Sequence, residues 1–240
     1  MRVYIAGAGK LASELRDGLP PQAGREVLPW PGDPAGALTD ALPHALAKTP
    51  ADNAPTVVVH AGSGRELPAI TAFCARTGAV LVELSTGSAL EHTEAGFPIV
   101  LCPNTNILML KFMAMLARSG SLFQGCAVQL TESHQAGKTS VPGTAVAMAE
   151  ALGLPAAHIV SVRAPAEQMG RLGIPEAQLA RHAFHRIQIE DGACALTLET
   201  RVQGDAPYAA GVGQILDAIA QHPLAARTYA INEFIELGWL

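Results

Sequence analysis

The stretch Thr131-Glu-Ser-His-Gln-Ala-Gly-Lys-Thr-Ser-Val-Pro-Gly-Thr-Ala145 concentrates the groups of this chain that can handle an anion and a proton. Glu132, His134 and Lys138 lie within seven residues of one another. Imidazole and ammonium groups can donate a proton to a reacting atom. Pro142-Gly143-Thr144 then opens an alanine-rich segment that reads as a helix. The first N–H groups of a helix have no partner within it and favour a carboxylate or phosphate. A strand end, a cationic loop and a helix N-terminus together make a site for a small acidic molecule.

These groups need elements to position them. The N-terminal half alternates short apolar strands with helices, and the half after the loop is dominated by strands rich in Thr, Ile and Val. Arg2-Val-Tyr-Ile-Ala-Gly7 reads as a buried strand, followed by Gly7-Ala8-Gly9-Lys10-Leu11-Ala12 and a helix from Ser13. A strand, a glycine turn and a helix in that order fit the dinucleotide fingerprint G-x-G-x-x-G/A. Gly7 would make the turn, Gly9 would let the backbone approach a pyrophosphate, and Ala12 would let the helix pack closely on the strand. The other reading of the motif is a plain strand-to-helix turn. The second strand, Arg25 to Trp30, ends without the acidic residue that binds the ribose 2′-hydroxyl in a typical NAD site. Asp33 stands near in a Pro/Gly turn, and no Arg or Lys follows it for a 2′-phosphate, so the choice between NADH and NADPH stays open.

Further strands are expected at Thr56–His60, Gly78–Glu83 and Pro98–Cys102. Ligands of doubly wound sheets bind outside the carboxyl ends of the strands. His60, Ser85, Thr86, Asn104 and Asn106 stand at such ends. Ser85, Thr86, Asn104 and Asn106 could hold a nicotinamide carboxamide. His60 could face the crevice or be a packed, hydrogen-bonded residue, and Asn104 or Asn106 could only cap the helix from Ile107 to Arg118. On that helix Met109, Phe112, Met113 and Leu116 share one face, which points to packing. A strand over Cys126–Glu132 delivers His134 and Lys138 to the loop. A helix is expected over Val141–Leu152, and a hairpin joins Phe184–Ile189 to Ala193–Val202 through Glu190-Asp-Gly192.

The whole reads as an α/β protein: a Rossmann-type dinucleotide-binding domain over residues 1–103 plus 213–240, and an α+β substrate and oligomerisation domain over 104–212. With 240 residues, 49% hydrophobic and 15% charged, the chain can bury a substantial core. Its net charge of −5 argues against nucleic acid as a partner, and no run approaches the ~18 apolar residues of a membrane span. Cys74, Cys102, Cys126 and Cys194 are scattered, with no C-x-x-C pair. Reduced thiols, the absence of a signal-peptide pattern and the absence of a metal cluster are the expectation, with a cytoplasmic location.

The loop resembles the signature of the dihydrodipicolinate reductases, E-x-H-H-x-x-K-x-D-x-P-S-G-T-A. Glu132, His134, Lys138, Pro142 and Gly143-Thr144-Ala145 match it in order. The N-terminal glycine turn, Ser85-Thr86-Gly87, Pro103-Asn104 and Leu110-Lys111 extend the resemblance over most of the chain. The chain departs from the family at Gln135, which replaces a second histidine, at Ser140 and Leu84, and at Asp205 or Ala206, where the family carries an arginine for a substrate carboxylate. The resemblance implies NADH or NADPH as cofactor, and His134 and Lys138 in acid and anion-binding roles. It further implies Gln135, Gly143 and Thr144 as substrate-binding residues, a small anionic substrate of the lysine and diaminopimelate pathway or a related one, and a homo-oligomer, a tetramer as in the family. A lysine beside other cations can have a lowered pKa and act as an acid. The alternative is a non-catalytic nucleotide-binding or assembly protein that keeps the fold.

Overall fold

The computed structural model describes residues 1–20, 22–32, 55–139, 142–204 and 208–240. Asp33, Ser140, Asp205 and Ala206, on which parts of the sequence argument rest, lie outside the described residues. The chain divides into two compact units, Met1–Ile107 with Tyr208–Leu240, and Leu108–Pro207.

The first unit holds β1 (Arg2–Ala6), α1 (Lys10–Gly18), β2 (Glu26–Pro29), β3 (Thr56–His60), α2 (Leu67–Thr77), β4 (Val80–Glu83) and β5 (Ile99–Leu101). From the C-terminal part it takes α6 (Ala209–Gln221), β10 (Thr228–Ala230) and α7 (Ile231–Glu236). Its strands form one parallel sheet in the order β10-β5-β4-β3-β1-β2. Val57, Val58, Val59, Leu81, Val82, Ile99 and Val100 are buried whichever way they point, as strands covered on both faces require. Tyr4, Trp30 and Phe73 meet edge to face with centroids 5.5–6.4 Å apart and fix the end of β2 against α2. The order reverses between β1 and β3, so the turns that follow them lie side by side. Gly7, at φ 122°, is required there: a Cβ would overlap the backbone carbonyl of Ala61.

Helix α6 is drawn close to this unit by small residues. Glu14 Oε1 accepts the N–H groups of Tyr208 (2.8 Å) and Ala209 (3.2 Å), so a side chain of α1 caps α6. Farther along, Arg25 pairs with Asp217. At Gly211 a Cβ would fall inside the van der Waals sphere of the Thr105 carbonyl oxygen. Gly211→Ala is therefore expected to destabilise the protein by about 3 kcal/mol or more in denaturant titration, because backbone must move to admit one methyl. A cost below about 0.5 kcal/mol would show that the Thr105 segment gives way freely.

The second unit contains most of α3 (Ile107–Ser119), then β6 (Ala127–His134), α4 (Gly143–Ala151), β7 (Val160–Val162), α5 (Pro165–Gly170), β8 (Ala183–Glu190) and β9 (Ala195–Val202). Its separate sheet has the order β7-β6-β8-β9, parallel between β6 and β7 and antiparallel elsewhere. Leu130, Ile187 and Ile189 on one face pack with Met109, Leu116, Met148 and Leu152 of the helices. The methionine-rich face of α3 is thus part of a core. No helix among the described residues is long and apolar enough to cross a membrane.

Candidate active site

The register of the second sheet builds the site. Strand side chains alternate between faces. Glu132 on β6 stands opposite Ser161 of β7 on one side and His185 of β8 on the other, and His185 stands opposite Thr200 of β9. The four share the face that carries Leu130 and Ile187, so a polar row continues an apolar one. His134 and Arg163 belong to the same face by alternation. β6 runs on to His134, so this histidine sits on the strand end and not in the loop that the sequence suggested.

Glu132 is fully buried, and a buried carboxylate needs partners. Arg163 donates from Nη2 to Oε1 at 2.6 Å and from Nη1 to Oε2 at 3.2 Å, and the Ser161 hydroxyl donates to Oε1. His134 Nδ1–H donates to Oε2 at 3.0 Å. Burial alone would raise the Glu132 pKa, but the hydrogen bonds from His134, Arg163 and Ser161 outweigh it and hold the carboxyl down at about 2. With Nδ1 committed, Nε2 is the nitrogen that His134 can offer to a ligand.

Arg163 has a second task. Its Nε donates to the Lys138 carbonyl at 2.9 Å, while Gln168 Nε2 donates to the His134 carbonyl at 2.7 Å. Lys138 N–H donates to the Gln135 carbonyl at 3.0 Å and closes the turn between them. One guanidinium therefore fixes both the carboxylate that orients His134 and the backbone that carries Lys138. The Lys138 side chain is half-buried and forms no ion pair among the described residues. Gln135 is exposed in the same turn. α4 begins at Gly143 after Pro142, with no side chain capping it, and a Cβ on Gly143 would meet nothing within 4 Å. Among the described residues, then, nothing caps the first-turn N–H groups of Gly143 and Thr144, which favour an anion.

His185 completes the row. Its ring stands edge-on to that of His134, with centroids 5.9 Å apart. Nδ1 contacts the Thr200 hydroxyl at 3.1 Å, while Nε2 is buried without a partner. Burial, reinforced by His134, pushes its pKa down to about 4, so it is neutral at ordinary pH.

The first unit carries the other residues singled out in the sequence. Gly9 is the N-cap of α1, with extended backbone and no side-chain cap, and among the described residues a Cβ there would meet nothing within 4 Å. That open approach to a helix start fits a pyrophosphate. Ala12 is buried and packs α1 on the sheet, while Ala8 and Lys10 are exposed and Leu11 is half-buried. A cavity in front of Gly7 and Ala8 is lined by Arg16, Trp30, Gly32 and Glu66. Ser85 is not free: its N–H donates to Glu83 Oε1 at 2.8 Å and its hydroxyl to the Gly62 carbonyl at 3.2 Å. Thr86 is exposed beside it. Asn104 Oδ1 accepts the Asn106 N–H at 2.9 Å, which is local bracing just before α3. Among the described residues no group of three or more His, Cys, Asp or Glu side chains is placed to hold a metal ion.

Sequence reasoning missed Arg163, Ser161, His185 and Gln168. Arg163 carried a signal, since it follows the short apolar strand β7 directly and precedes Pro165. Arg186 and Arg201 do not serve the row. Both point to the opposite face and bind Glu199, at 2.8 and 2.6 Å from their Nε atoms.

No family model matches the chain. Among curated proteins it is similar to the probable 4-hydroxy-tetrahydrodipicolinate reductase 2, chloroplastic, of Oryza sativa subsp. japonica, at 34% identity over 96 residues, 37% of this chain and 30% of that protein. It is also similar to the 4-hydroxy-tetrahydrodipicolinate reductase 1, chloroplastic, of Arabidopsis thaliana, at 30% identity over 129 residues, 49% of this chain and 37% of that protein. The chain spans 30–38% of the length of the curated relatives it matches. Among solved structures, the dipicolinate-bound dihydrodipicolinate reductase from Paenisporosarcina sp. TG-14 covers 97% of this chain and 98% of its own, with a TM-score of 0.64 at 17% identity. Alike in sequence over up to half its length and in fold over nearly all of it, the chain resembles the dihydrodipicolinate reductases as a divergent relative.

Proposed function

We propose that the protein is a nicotinamide-dependent reductase that adds a hydride and a proton to a cyclic unsaturated acid, of the kind that 4-hydroxy-tetrahydrodipicolinate reductases are named for. The observation that carries this reading is the Glu132–Arg163 pair, which aligns His134 and fixes the Lys138 turn within the same unit as the open start of α4. Reducing a C=N or conjugated C=C bond places a hydride on one atom and a proton on its neighbour. NADH or NADPH, when bound, supplies the hydride. In this reading the cofactor is held by Gly7–Ala12, with Thr86 and the Ser85 turn beyond it.

The protein's own groups do the rest. The N–H groups of Gly143 and Thr144 and the Thr144 hydroxyl bind a substrate carboxylate, with the Lys138 ammonium as its counter-charge. Lys138 or His134 Nε2 delivers the proton. The hydrogen bond to Glu132 fixes the ring. A homo-oligomer, a tetramer by the resemblance, belongs to the same reading.

The test couples calorimetric titration of NADH and NADPH with a cofactor-oxidation assay on 4-hydroxy-tetrahydrodipicolinate. Binding with turnover supports the reading. Tight binding with no turnover of that or any related cyclic imine would point to a non-catalytic nucleotide-binding protein. Gly9→Asp is expected to lower cofactor affinity by about 100-fold or more, because a carboxylate would occupy the open space at the start of α1 and repel the pyrophosphate. The same variant should keep its unfolding midpoint, since the site has room for the side chain. Unchanged affinity in a folded Gly9→Asp would remove the glycine loop from the cofactor site.

A further inference from the structure

A second constellation stands at the carboxyl ends of β3 and β4. His60 is fully buried, and its Nδ1–H donates to Glu83 Oε2 at 2.7 Å. Glu83 is itself fully buried, and its other oxygen accepts the Ser85 N–H at 2.8 Å. The Ser85 hydroxyl returns to the Gly62 carbonyl at 3.2 Å, so the turns after the two strands are closed on each other. On the far side of the ring, Nε2 faces Glu66 Oε2 at 3.5 Å. Both atoms are buried with no hydrogen-bond partner, an arrangement that costs free energy unless a shared proton joins them. Gly62 leaves room for the two atoms, for a Cβ there would lie 2.8 Å from Nε2 and 2.9 Å from Oε2. Glu66 also lines the cavity in front of Gly7 and Ala8. A free carboxylate there would repel a dinucleotide's phosphates.

We propose that His60 is a positioning residue for the nucleotide loop: as an imidazolium it bridges Glu83 and Glu66, ties the turn 61–66 to the turn 84–87, and neutralises the carboxylate that faces the cavity. The inference rests on the assignment of Gly7–Ala12 to a dinucleotide. Among the described residues, Glu83 from β4 and Glu66 from the turn before α2 are the charged groups that act on the ring. Burial opposes its protonation, but the two carboxylates outweigh burial and hold the imidazole above its ordinary value of 6.5. The folded protein thus binds this proton more tightly than the unfolded chain. The bridge is complete below about pH 6.5 and is lost as pH rises through the folded value. Cofactor affinity falls in the same direction.

The experiment titrates NADH into wild type and His60→Gln between about pH 6 and about pH 9, and follows Ser85 amide protection and the His60 ring signals by NMR without cofactor. Wild-type affinity is expected to fall by about tenfold across this range. Ser85 protection should fall over the same interval. His60→Gln, which keeps a donor but carries no charge, should bind weakly and without that pH dependence. Identical profiles in the two proteins would overturn the proposal, as would a His60 ring that titrates without any change at Ser85. If His60→Gln does not fold, Glu66→Gln serves instead: removing one carboxylate should move the ring's titration to lower pH, and no movement refutes the bridge. Failure of NADH to bind at any pH would count against the glycine-loop assignment, while the cofactor-free NMR titration decides the bridge separately.

Discussion

Replacing Lys138 with alanine is expected to lower kcat/KM on the substrate by about 1,000-fold, within the range that general acid catalysis supplies. The loss should come without loss of fold. The Lys138 carbonyl and N–H, which hold the turn to Arg163 and Gln135, belong to the backbone and survive the substitution. Its ammonium has no ion pair among the described residues, so its removal should change the unfolding free energy by less than about 0.5 kcal/mol. Lys138→Arg separates the two roles. A guanidinium keeps the positive charge that attracts a carboxylate but does not release a proton near neutral pH. If Lys138 is the acid, Lys138→Arg retains much of the substrate affinity and loses turnover. If it only binds the anion, Lys138→Arg recovers most of the rate. Full activity of Lys138→Ala in steady-state kinetics would move the acid role to His134 alone.

The second large effect is expected at Glu132. Its carboxyl, held at about 2 against an ordinary 4.5, binds its proton less tightly in the folded protein than in the unfolded chain. The stability this contributes is present above pH 4.5 and is lost as pH falls toward 2, amounting to about 3 kcal/mol across that interval. Glu132→Gln keeps the shape and removes the charge. It leaves the Arg163 guanidinium without its counter-ion and His134 without a fixed orientation, and should cost about 3–5 kcal/mol at neutral pH. Its acid limb should be flatter than that of wild type over the same pH interval, which denaturant titrations of both proteins at several pH values would read. Turnover should fall as well, since Arg163 then holds the Lys138 turn less firmly. A variant with unchanged stability and an unchanged acid limb would show that the carboxylate is not the keystone of this row.

The acid limb also bears on which residue reports pH in which range. Glu132 acts below pH 4.5, and His185, held neutral by burial at about 4, adds no charge near neutrality. The pH dependence proposed around His60 lies on the other side of pH 6.5. The two effects can therefore be measured in the same protein without overlap.

Local physics wrote much of this molecule into the sequence. A run such as Thr56-Val-Val-Val-His60 can only be a strand buried on both faces, and it is one, with the same limits. Gly7 marked a turn into a helix because no other residue takes a φ of 122° beside the Ala61 carbonyl at no cost. The period-two hairpin of β8 and β9 and the helix start at Gly143 were legible for the same reason: turn chemistry and alternation act between near neighbours. The loop with His134 and Lys138 could be chosen because these residue types stand close along the chain. What the sequence could not show is which distant residues meet them. Arg163 lies 31 positions from Glu132 and reaches it only because β7 pairs in parallel with β6. His185 and Thr200 join the row through antiparallel register, and a slip of one residue would have sent them to the face where Arg186 and Arg201 bind Glu199. His60, which the sequence placed at a strand end, meets the Glu83 carboxylate only when β3 and β4 lie side by side. Residue type and spacing determined the elements and the candidate chemistry. Register between strands, which depends on the burial of a whole sheet face and not on any single residue, decided which side chains share a site.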